Sequence, residues 1–379
     1  MVAPARGCGR RLRRLLDPLV AAAGAVPGAD RYRKRFPARA HLWLLLRHAL
    51  CGGDSLRQTH ADVVADEAEL ARLGLPGGIS RSQLARSSTS RPAACFEALL
   101  AAVVAVARGR AATDPAWRAL AKVQAVDSTF LALSLKLSPW SRHGGHAPGV
   151  RLQTGLDLAG AIPSELRLTL TDVHDTTALA ARDLAAVAGW TLLIDLGYYA
   201  HRLFATLRAA GVSVVCRLHA QAAYRVTAAH PVDPTPTADG DVILGDETIT
   251  LGSPNNRRGA VLPGMRLVVS RNAAGAEQRF VTDRHDLTAA AVVALYRKRW
   301  QIELFFRWLK YQLKALRPFG NSREAVWLTV VVCAIAAVLA MLAEPDRPKG
   351  DSRVAWLRGV GAALLHAPAA PAPTPADTS

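Results

Sequence analysis

The chain has 379 residues, half of them hydrophobic, which excludes a disordered or fibrous protein and allows two or three domains. It carries 47 Lys and Arg against 30 Asp and Glu, a net charge of +17. Such a basic chain favours a polyanionic partner, either nucleic acid or an anionic membrane surface. The five cysteines are far apart and none has zinc-binding spacing, which argues against a structural zinc site and favours a reducing, cytoplasmic location.

The first 40 residues are rich in arginine and punctuated by proline and glycine, a pattern that predicts a basic arm with one short helix over residues 1–40. Four arginines within positions 10–14 precede an apolar run and so imitate the start of a secretory signal. Because Asp17 and Pro18 interrupt that run, we interpret the segment as part of the arm.

Residues 41–122 combine apolar residues at helical spacing with turns at glycine pairs, and they predict a helical domain. Within it, a polar stretch that begins at Ser80 leads into an apolar helix and resembles a small DNA-binding unit. Arg81, Arg86 and Arg91 are available there for phosphates. The alternative is a solvated polar turn before a core helix.

The pattern changes to β at residue 123. Three strand-like runs, VQAVDSTFLAL, VRLQTGLDL and SELRLTL, are followed by a helix, the strand WTLLID, a second helix and the strand VSVVCRL. This is the element order of a ribonuclease H-like domain. We therefore predict an α/β fold, with a ribonuclease H-like domain over residues 123–345 preceded by the helical N-terminal domain.

The predicted domain is interrupted once. Residues 219–283 show a Gly/Pro-rich β pattern that is too long for a loop and predicts a small β subdomain inserted before the next helix, which runs from residue 287 to 313. Residues 346–379, which end in a Pro/Ala-rich stretch, are predicted to be a disordered C-terminal tail.

An uncharged apolar run of nineteen residues, 325–343, approaches the ~20 residues that span a bilayer. It is the only such run and contains many alanines, and a helix that is apolar on all sides also fits the centre of a large domain. We predict a buried helix and no membrane partner, with a single-span membrane protein as the alternative.

Two aspartates lie at predicted strands. Asp127 follows the apolar run 123–126, and Asp195 ends the run 191–194. If the two strands are neighbours, the carboxylates converge, and such a pair binds Mg²⁺ well because this hard cation prefers oxygen ligands. For either aspartate alone, a cap or turn role is the alternative.

A third candidate carboxylate lies on the helix that begins near Tyr296. At 100° per residue, Tyr296, Arg299, Glu303 and Lys310 fall within an arc of about 60°, beside an apolar face. The helix thus presents one carboxylate among two cations and a phenol. The alternative is an exposed face with an Arg299 to Glu303 ion pair of little energetic weight.

The spacing Y-(2)-R-(3)-E-(6)-K resembles the signature of the DDE transposases of the insertion-sequence-four family. The motifs VDSTF, GVRLQTGLDLAGAIP, TDVHD and DLGYY resemble the acidic motifs of that family, and SRSQLARSSTSRPAACFEALL resembles its helical leader. The resemblance covers roughly residues 40–345. One departure is Leu196, where the family usually has Arg, which puts a phosphate contact in doubt but leaves the neighbouring aspartate in place.

The resemblance implies a DNA transposase in which Asp127, Asp195 and Glu303 are the catalytic triad and metal ligands. Two Mg²⁺ ions, with Mn²⁺ as a substitute, would serve cleavage and strand transfer. Tyr296, Arg299 and Lys310 would bind DNA phosphates. The implied partners are double-stranded DNA, as the terminal repeats and the target, and a second copy of the chain in a homodimer on DNA. A catalytically inactive, DNA-binding descendant is the alternative.

Overall fold

The computed structural model describes residues 3–31, 33–143, 145–253 and 260–367, without the side chains of residues 116 and 117. The chain folds into two compact units. Unit 1 comprises Met1–Ala111, Leu133–Trp140 and Phe306–Ser379, and unit 2 comprises Ala112–Ala132 and Ser141–Phe305. These units differ from the predicted boundaries, since residues 306–345 cluster with the N-terminal helices.

Helices and strands together make this a mixed α/β protein. The helices are α1 (Ala3–Gly24), α2 (Ala38–Leu50), α3 (Leu56–Val64), α4 (Glu67–Arg72), α5 (Arg81–Ser90), α6 (Ala94–Thr113), α7 (Pro115–Arg118), α8 (Asp175–Ala180), α9 (His201–Ala209), α10 (Ala289–Arg297), α11 (Trp300–Tyr311), α12 (Arg323–Ala343) and α13 (Arg353–His366). The strands are β1 (Val123–Ala132), β2 (Gly149–Asp157), β3 (Ile162–Leu170), β4 (Thr191–Ile194), β5 (Ser213–Arg217), β6 (Tyr224–Ala229), β7 (Val242–Leu251), β8 (Leu262–Arg271) and β9 (Glu277–Thr282).

The two chain ends of unit 1 pack together. The first helix, α1, is 22 residues long, so the short helix expected in the basic arm was wrong in length. Its buried residues Leu12, Leu16 and Val20 follow helical spacing, and Arg6, Arg10 and Arg14 are exposed, whereas the buried Arg13 donates to Asp17 Oδ1 at 2.9 Å. It packs closely on α13, because a Cβ placed at Gly9 would lie 2.6 Å from the Cβ of Ala363.

The C-terminal segment was predicted to be disordered, and this is wrong for residues 353–366, which form α13. Trp356, Leu357 and Leu364 are buried there, and the Trp356 Nε1–H donates to the Ala343 carbonyl at 3.1 Å. The prediction was based on the Pro/Ala-rich end of the chain and did not consider the apolar residues that precede it. Residues 368–379 of the predicted tail lie outside the described residues.

The apolar run 325–343 forms α12 and is buried, as predicted. The Ser322 hydroxyl caps its first turn by accepting from the Ala325 N–H at 3.2 Å, and Ala334 at its middle has no exposed surface. The helix contacts α2 and α5 within unit 1.

By length and composition alone, one helix among the described residues, Arg323–Asp346, is apolar enough to cross a membrane. Its most apolar window has a mean hydropathy of 2.7 and is 89% buried inside the protein. The bent pair Arg81–Ser90 and Ala94–Thr113 adds a second candidate only if it is taken as one span. Buried core helices pass the same test.

Unit 2 is built on a nine-stranded sheet with the order β3-β2-β1-β4-β5-β9-β8-β7-β6. The first strand, β1, pairs antiparallel with β2 and parallel with β4, and β4 pairs parallel with β5. The three predicted N-terminal strands and the two predicted later strands are therefore present. Buried side chains such as Leu192, Ile194, Phe204 and Val281 form the core that packs on this sheet.

The β pattern of residues 219–283 is also present, but it does not form a separate subdomain. Its last strand, β9, pairs antiparallel with β5, and β8, β7 and β6 follow in the same sheet. A strand at the edge of a sheet leaves backbone N–H and C=O groups unpaired. Pairing with β9 supplies hydrogen-bond partners for these groups of β5.

The continuous helix predicted from residue 287 to 313 is broken. Thr288 caps α10 as expected, its hydroxyl accepting from the Ala291 N–H at 3.1 Å. Around Lys298 and Arg299 the backbone hydrogen bonds join residues three apart, as in a 3-10 turn. The Arg299 N–H donates to the Tyr296 carbonyl, and the Ile302 N–H donates to the Arg299 carbonyl. The second helix, α11, then begins at Trp300.

Candidate active site

Two strands of unit 2 bring a pair of aspartates together. In the parallel register of β1 and β4, Ala125 pairs with Leu193. Asp127 and Asp195 follow this pair by two residues, so they lie side by side. Asp127 is within β1, and Asp195 comes directly after β4. Because both backbones are fixed by the sheet, the proximity of the two carboxylates is a consequence of the fold.

Backbone N–H groups orient both carboxylates. The Ser128 N–H donates to Asp127 Oδ1 at 2.7 Å, and the Gly197 N–H donates to Asp195 Oδ1 at 2.9 Å. Burial raises the pKa of Asp127 to about 6, the nearby charges of Asp195 and Glu303 add to the rise, and the Ser128 N–H and Arg299 oppose it. A bound cation would stabilise the charged form of this carboxylate, which burial disfavours.

The guanidinium of Arg299 lies between two of the candidate carboxylates. Its Nη2 donates to Glu303 Oε1 at 2.5 Å, and its Nη1 lies 3.7 Å from Asp127 Oδ2. Only 16% of the Arg299 side chain is exposed. Arg299 lies in the break between α10 and α11. The prediction assumed an unbroken helix, so its helical wheel did not give the direction of the Arg299 side chain.

Tyr296 and Lys310 complete the predicted signature. The ring of Tyr296 packs on Phe280, with centroids 5.0 Å apart, and lies 5.9 Å from the Arg299 guanidinium carbon. Burial raises the pKa of Tyr296 to about 12. Lys310 lies seven residues after Glu303 on α11 and belongs to unit 1, where burial lowers the pKa of its ammonium group.

Thus unit 2 brings together the three predicted carboxylates, Arg299 and Tyr296. Sequence reasoning missed Ser128 and Gly197, which act through backbone N–H groups and carry no side-chain signal. It also missed Tyr198, whose side chain is buried beside the acidic site. Burial raises the pKa of Tyr198, and the charges of Asp175, Asp127 and Asp195 add to the rise.

Across the part of the chain that the structure describes, no group of three or more His, Cys, Asp or Glu side chains is arranged to hold a metal ion. In unit 2 the Arg299 guanidinium bridges two of the three carboxylates. The donor set nevertheless fits a hard divalent cation, since it consists of carboxylate oxygens, one of them with a raised pKa. A cation held by Asp127 and Glu303 would compete with the Arg299 guanidinium for these two carboxylates.

The sheet and its acidic site define the class: an α/β protein with a carboxylate centre on adjacent parallel strands. The model of the Transposase DDE domain family matches residues 118–339, and the chain belongs to this family. The insertion-sequence-four resemblance is thereby confirmed, and an element of that type is among the relatives below.

Several transposases are similar in sequence. A Sinorhizobium fredii protein named as the transposase y4zB is 29% identical over 270 residues, which are 71% of this chain and 73% of that protein. A Geobacillus stearothermophilus protein, named as a transposase for the insertion sequence element IS5377, is 25% identical over 222 residues, 57% of this chain and 55% of its own. A Synechocystis protein, named as a transposase for IS4SA, is 31% identical over 67 residues, 18% of this chain and 20% of its own.

Among solved structures, the piggyBac transposase in a synaptic complex with hairpin DNA aligns with a TM-score of 0.47 and 9% identity. The alignment covers 95% of this chain and 80% of that one.

Proposed function

We propose that this DNA transposase binds the ends of its own element and catalyses metal-dependent DNA cleavage and strand transfer with a DDE triad. The observation that carries the proposal is the register of β1 and β4, which sets Asp127 beside Asp195, with Glu303 linked to Asp127 through Arg299. The strand order β3-β2-β1-β4-β5 and its strand directions support a ribonuclease H-like core.

Asp127, Asp195 and Glu303 would hold the divalent ions, two Mg²⁺ or, in their place, Mn²⁺. When bound, such ions make water or a DNA 3′-hydroxyl more nucleophilic and stabilise the departing oxygen in an in-line phosphoryl transfer. The Ser128 and Gly197 N–H groups each fix one oxygen of the first two carboxylates. Neither carboxylate then has to be reorganised during the reaction.

Arg299 has two tasks in this proposal. Without metal it neutralises Glu303 and Asp127. Once released from them, its guanidinium can donate two parallel N–H bonds to one phosphate, for which the planar fork is suited. Tyr296, which packs on Phe280, lies with its ring 5.9 Å from the Arg299 guanidinium carbon and would contact the same phosphate region. Lys310 would add a mobile positive charge near the bound strand.

The test is cleavage of duplex DNA that contains the short inverted repeats flanking the gene. We expect the full chain to nick or cut this duplex at the repeat boundary with Mg²⁺ and to leave it intact in EDTA. A duplex with scrambled repeats is the matched control. Binding to the repeats without cleavage in Mg²⁺ or Mn²⁺ would instead identify the inactive descendant.

For that alternative, Leu196 is the relevant position, because 42% of its surface is exposed directly after Asp195. An arginine there has room to reach a phosphate. If the wild type cleaves weakly, Leu196→Arg should raise the rate, while Leu196→Lys, which has one donor group instead of a fork, should raise it less.

Replacing the two cations of the signature, Arg299 and Lys310, should weaken DNA binding. In Arg299→Ala and Lys310→Ala, each lost phosphate contact should lower the slope of log K against log salt by about 0.9. Arg299→Lys keeps the charge and should keep the slope while slowing cleavage. Fluorescence anisotropy over a salt series measures the slope. If slope and cleavage are unchanged in both alanine variants, neither Arg299 nor Lys310 contacts DNA, and the Arg299–Glu303 ion pair is only structural.

A further inference from the structure

The carboxylate of Asp175, the first residue of α8, is bound by two side chains of β2. Its Oδ1 accepts from Gln153 Nε2 at 3.1 Å, and its Oδ2 lies 3.7 Å from Arg151 Nη1. Gln153 and Arg151 are two residues apart on one strand, so both side chains project from the same face of the sheet. One carboxylate of α8 therefore holds two neighbouring side chains of β2.

Arg151 connects this carboxylate to the segment of Asp127. The same Nη1 that lies near Asp175 donates to the Ser128 hydroxyl at 3.3 Å, and the Ser128 N–H donates to Asp127 Oδ1 at 2.7 Å. Ser128 pairs with Gln153 in the register of β1 and β2, so these two side chains share a face of the sheet. Asp127, one residue earlier, points to the opposite face. The contacts of Asp175 thus reach Asp127 from behind, through the backbone of Ser128.

Gln153 connects the same carboxylate to the segment of Asp195. Its Oε1 accepts from the Tyr198 hydroxyl at 3.5 Å, and the Tyr198 N–H donates to the Asp195 carbonyl at 3.1 Å. The Tyr198 side chain is almost completely buried, so packing fixes its ring. Asp175 thus contacts the segments of both aspartates, once through Arg151 and once through Gln153.

We propose that Asp175 is a positioning residue that holds Asp127 and Asp195 at the separation needed for metal binding. Its two contact chains end at the backbone segments of these aspartates and so oppose a change in the distance between their carboxylates. Groups that orient the ligands of a metal site contribute about 10- to 100-fold to metal affinity or activity. The inference rests on the proposed function, which gives this separation its purpose.

A purely structural role for Asp175 predicts a different outcome. A carboxylate in the first turn of a helix stabilises that helix through the free N–H groups of the turn and the helix dipole, which requires neither Arg151 nor Gln153. The observed contacts favour the positioning role, because each oxygen of the Asp175 carboxylate has a partner on β2. Loss of helix stabilisation lowers the unfolding temperature, whereas loss of positioning weakens the binding of metal.

The test is the binding of Mn²⁺ to the full chain without DNA, measured by electron paramagnetic resonance. We expect Asp175→Asn to raise the dissociation constant for Mn²⁺ by about 10-fold or more, with an unfolding temperature close to that of the wild type. The Mn²⁺ concentration that half-saturates DNA cleavage should rise by the same factor. The matched control is Asp172→Asn, which removes an exposed carboxylate that lies 2.8 Å from His143 Nδ1 and should leave Mn²⁺ binding unchanged.

Two further variants separate positioning from charge. Arg151→Met removes a cation, which should tighten Mn²⁺ binding if charge alone matters, whereas loss of the contact to Ser128 should weaken it. Ser128→Ala keeps the N–H group and the net charge and removes only the hydroxyl that accepts from Arg151, so we expect weaker binding here too. In the Arg151→Met background, Asp175→Asn should have a smaller effect than alone, because both residues act through one chain of contacts.

Normal Mn²⁺ affinity in folded Asp175→Asn would overturn the inference, and a lowered unfolding temperature with normal affinity would identify a helix-start residue instead. Tighter binding in Arg151→Met would overturn it as well, since only charge would then matter. If Asp175→Asn does not fold, Arg151→Met and Ser128→Ala decide by the same measurement.

The inference and the proposed function can fail separately. If the wild type cleaves DNA and the variants bind Mn²⁺ normally, the inference fails alone. If the variants bind Mn²⁺ weakly but the wild type cuts no DNA, the proposed function fails alone. A wild type that neither binds Mn²⁺ nor cleaves DNA would overturn both.

Discussion

Asp127→Asn, Asp195→Asn and Glu303→Gln should each abolish DNA cleavage, a loss of roughly a thousandfold or more, because each isosteric change removes one negatively charged oxygen from the proposed metal site. Binding to the element ends should stay nearly intact, since it depends on many phosphate contacts. Gel assays of cleavage and anisotropy assays of binding, made on the same preparations, measure the two effects.

The matched control is Asp183→Asn, the same chemical change on an exposed turn of unit 2, where the carboxylate only accepts from the Ala185 N–H at 3.2 Å. Its cleavage should equal that of the wild type. Near wild-type cleavage in any of the three site variants would remove that residue from the triad, and a parallel loss of binding would indicate damage to the fold.

Ala334→Asp should destabilise unit 1 by several kcal/mol, because it buries an unpaired carboxylate at a position without exposed surface in the middle of α12. This is comparable with the whole stability of a domain, so the variant should be recovered as aggregate. Ala105→Asp, on the exposed side of α6, introduces the same group and should remain soluble. Soluble yield and thermal unfolding compare the two.

Fractionation without detergent decides between the two interpretations of α12. A core helix predicts that the wild type stays in solution. Recovery of the wild type in the carbonate-resistant membrane pellet would contradict the core assignment, and Ala334→Asp would then move the protein toward the soluble fraction at a cost of about 3 kcal/mol of insertion energy.

Much of the sheet could be predicted because buried strands appear in the sequence as continuous apolar runs. The apolar runs before Asp127 and at Thr191 to Ile194 carry residues with almost no exposed surface, and turns bound them. Once those two strands are taken as neighbours, the convergence of Asp127 and Asp195 follows. The triad and its metals stay predictions that the cleavage assay tests.

The remaining features depend on tertiary contacts. No local pattern marks the break at Lys298 and Arg299, since the apolar residues on both sides keep helical spacing. The Arg299 contact to Asp127 joins residues that are far apart in the sequence. Arg91 was misjudged for the same reason, because its partners at residues 29–36 belong to a segment that was predicted to be a separate basic arm.

The packing of α1 on α13 also has a consequence for synthesis on the ribosome. Unit 2 comprises residues 112–132 and 141–305, so all of its strands are made before residues 306–379 are translated. α1 contacts α2, which is made early, but its contacts with α13 form only after residues 353–366 have been made. Until α13 has been made, the side of α1 that packs on α13 is exposed and available to chaperones, and a premature stop codon between residues 305 and 353 leaves that side uncovered.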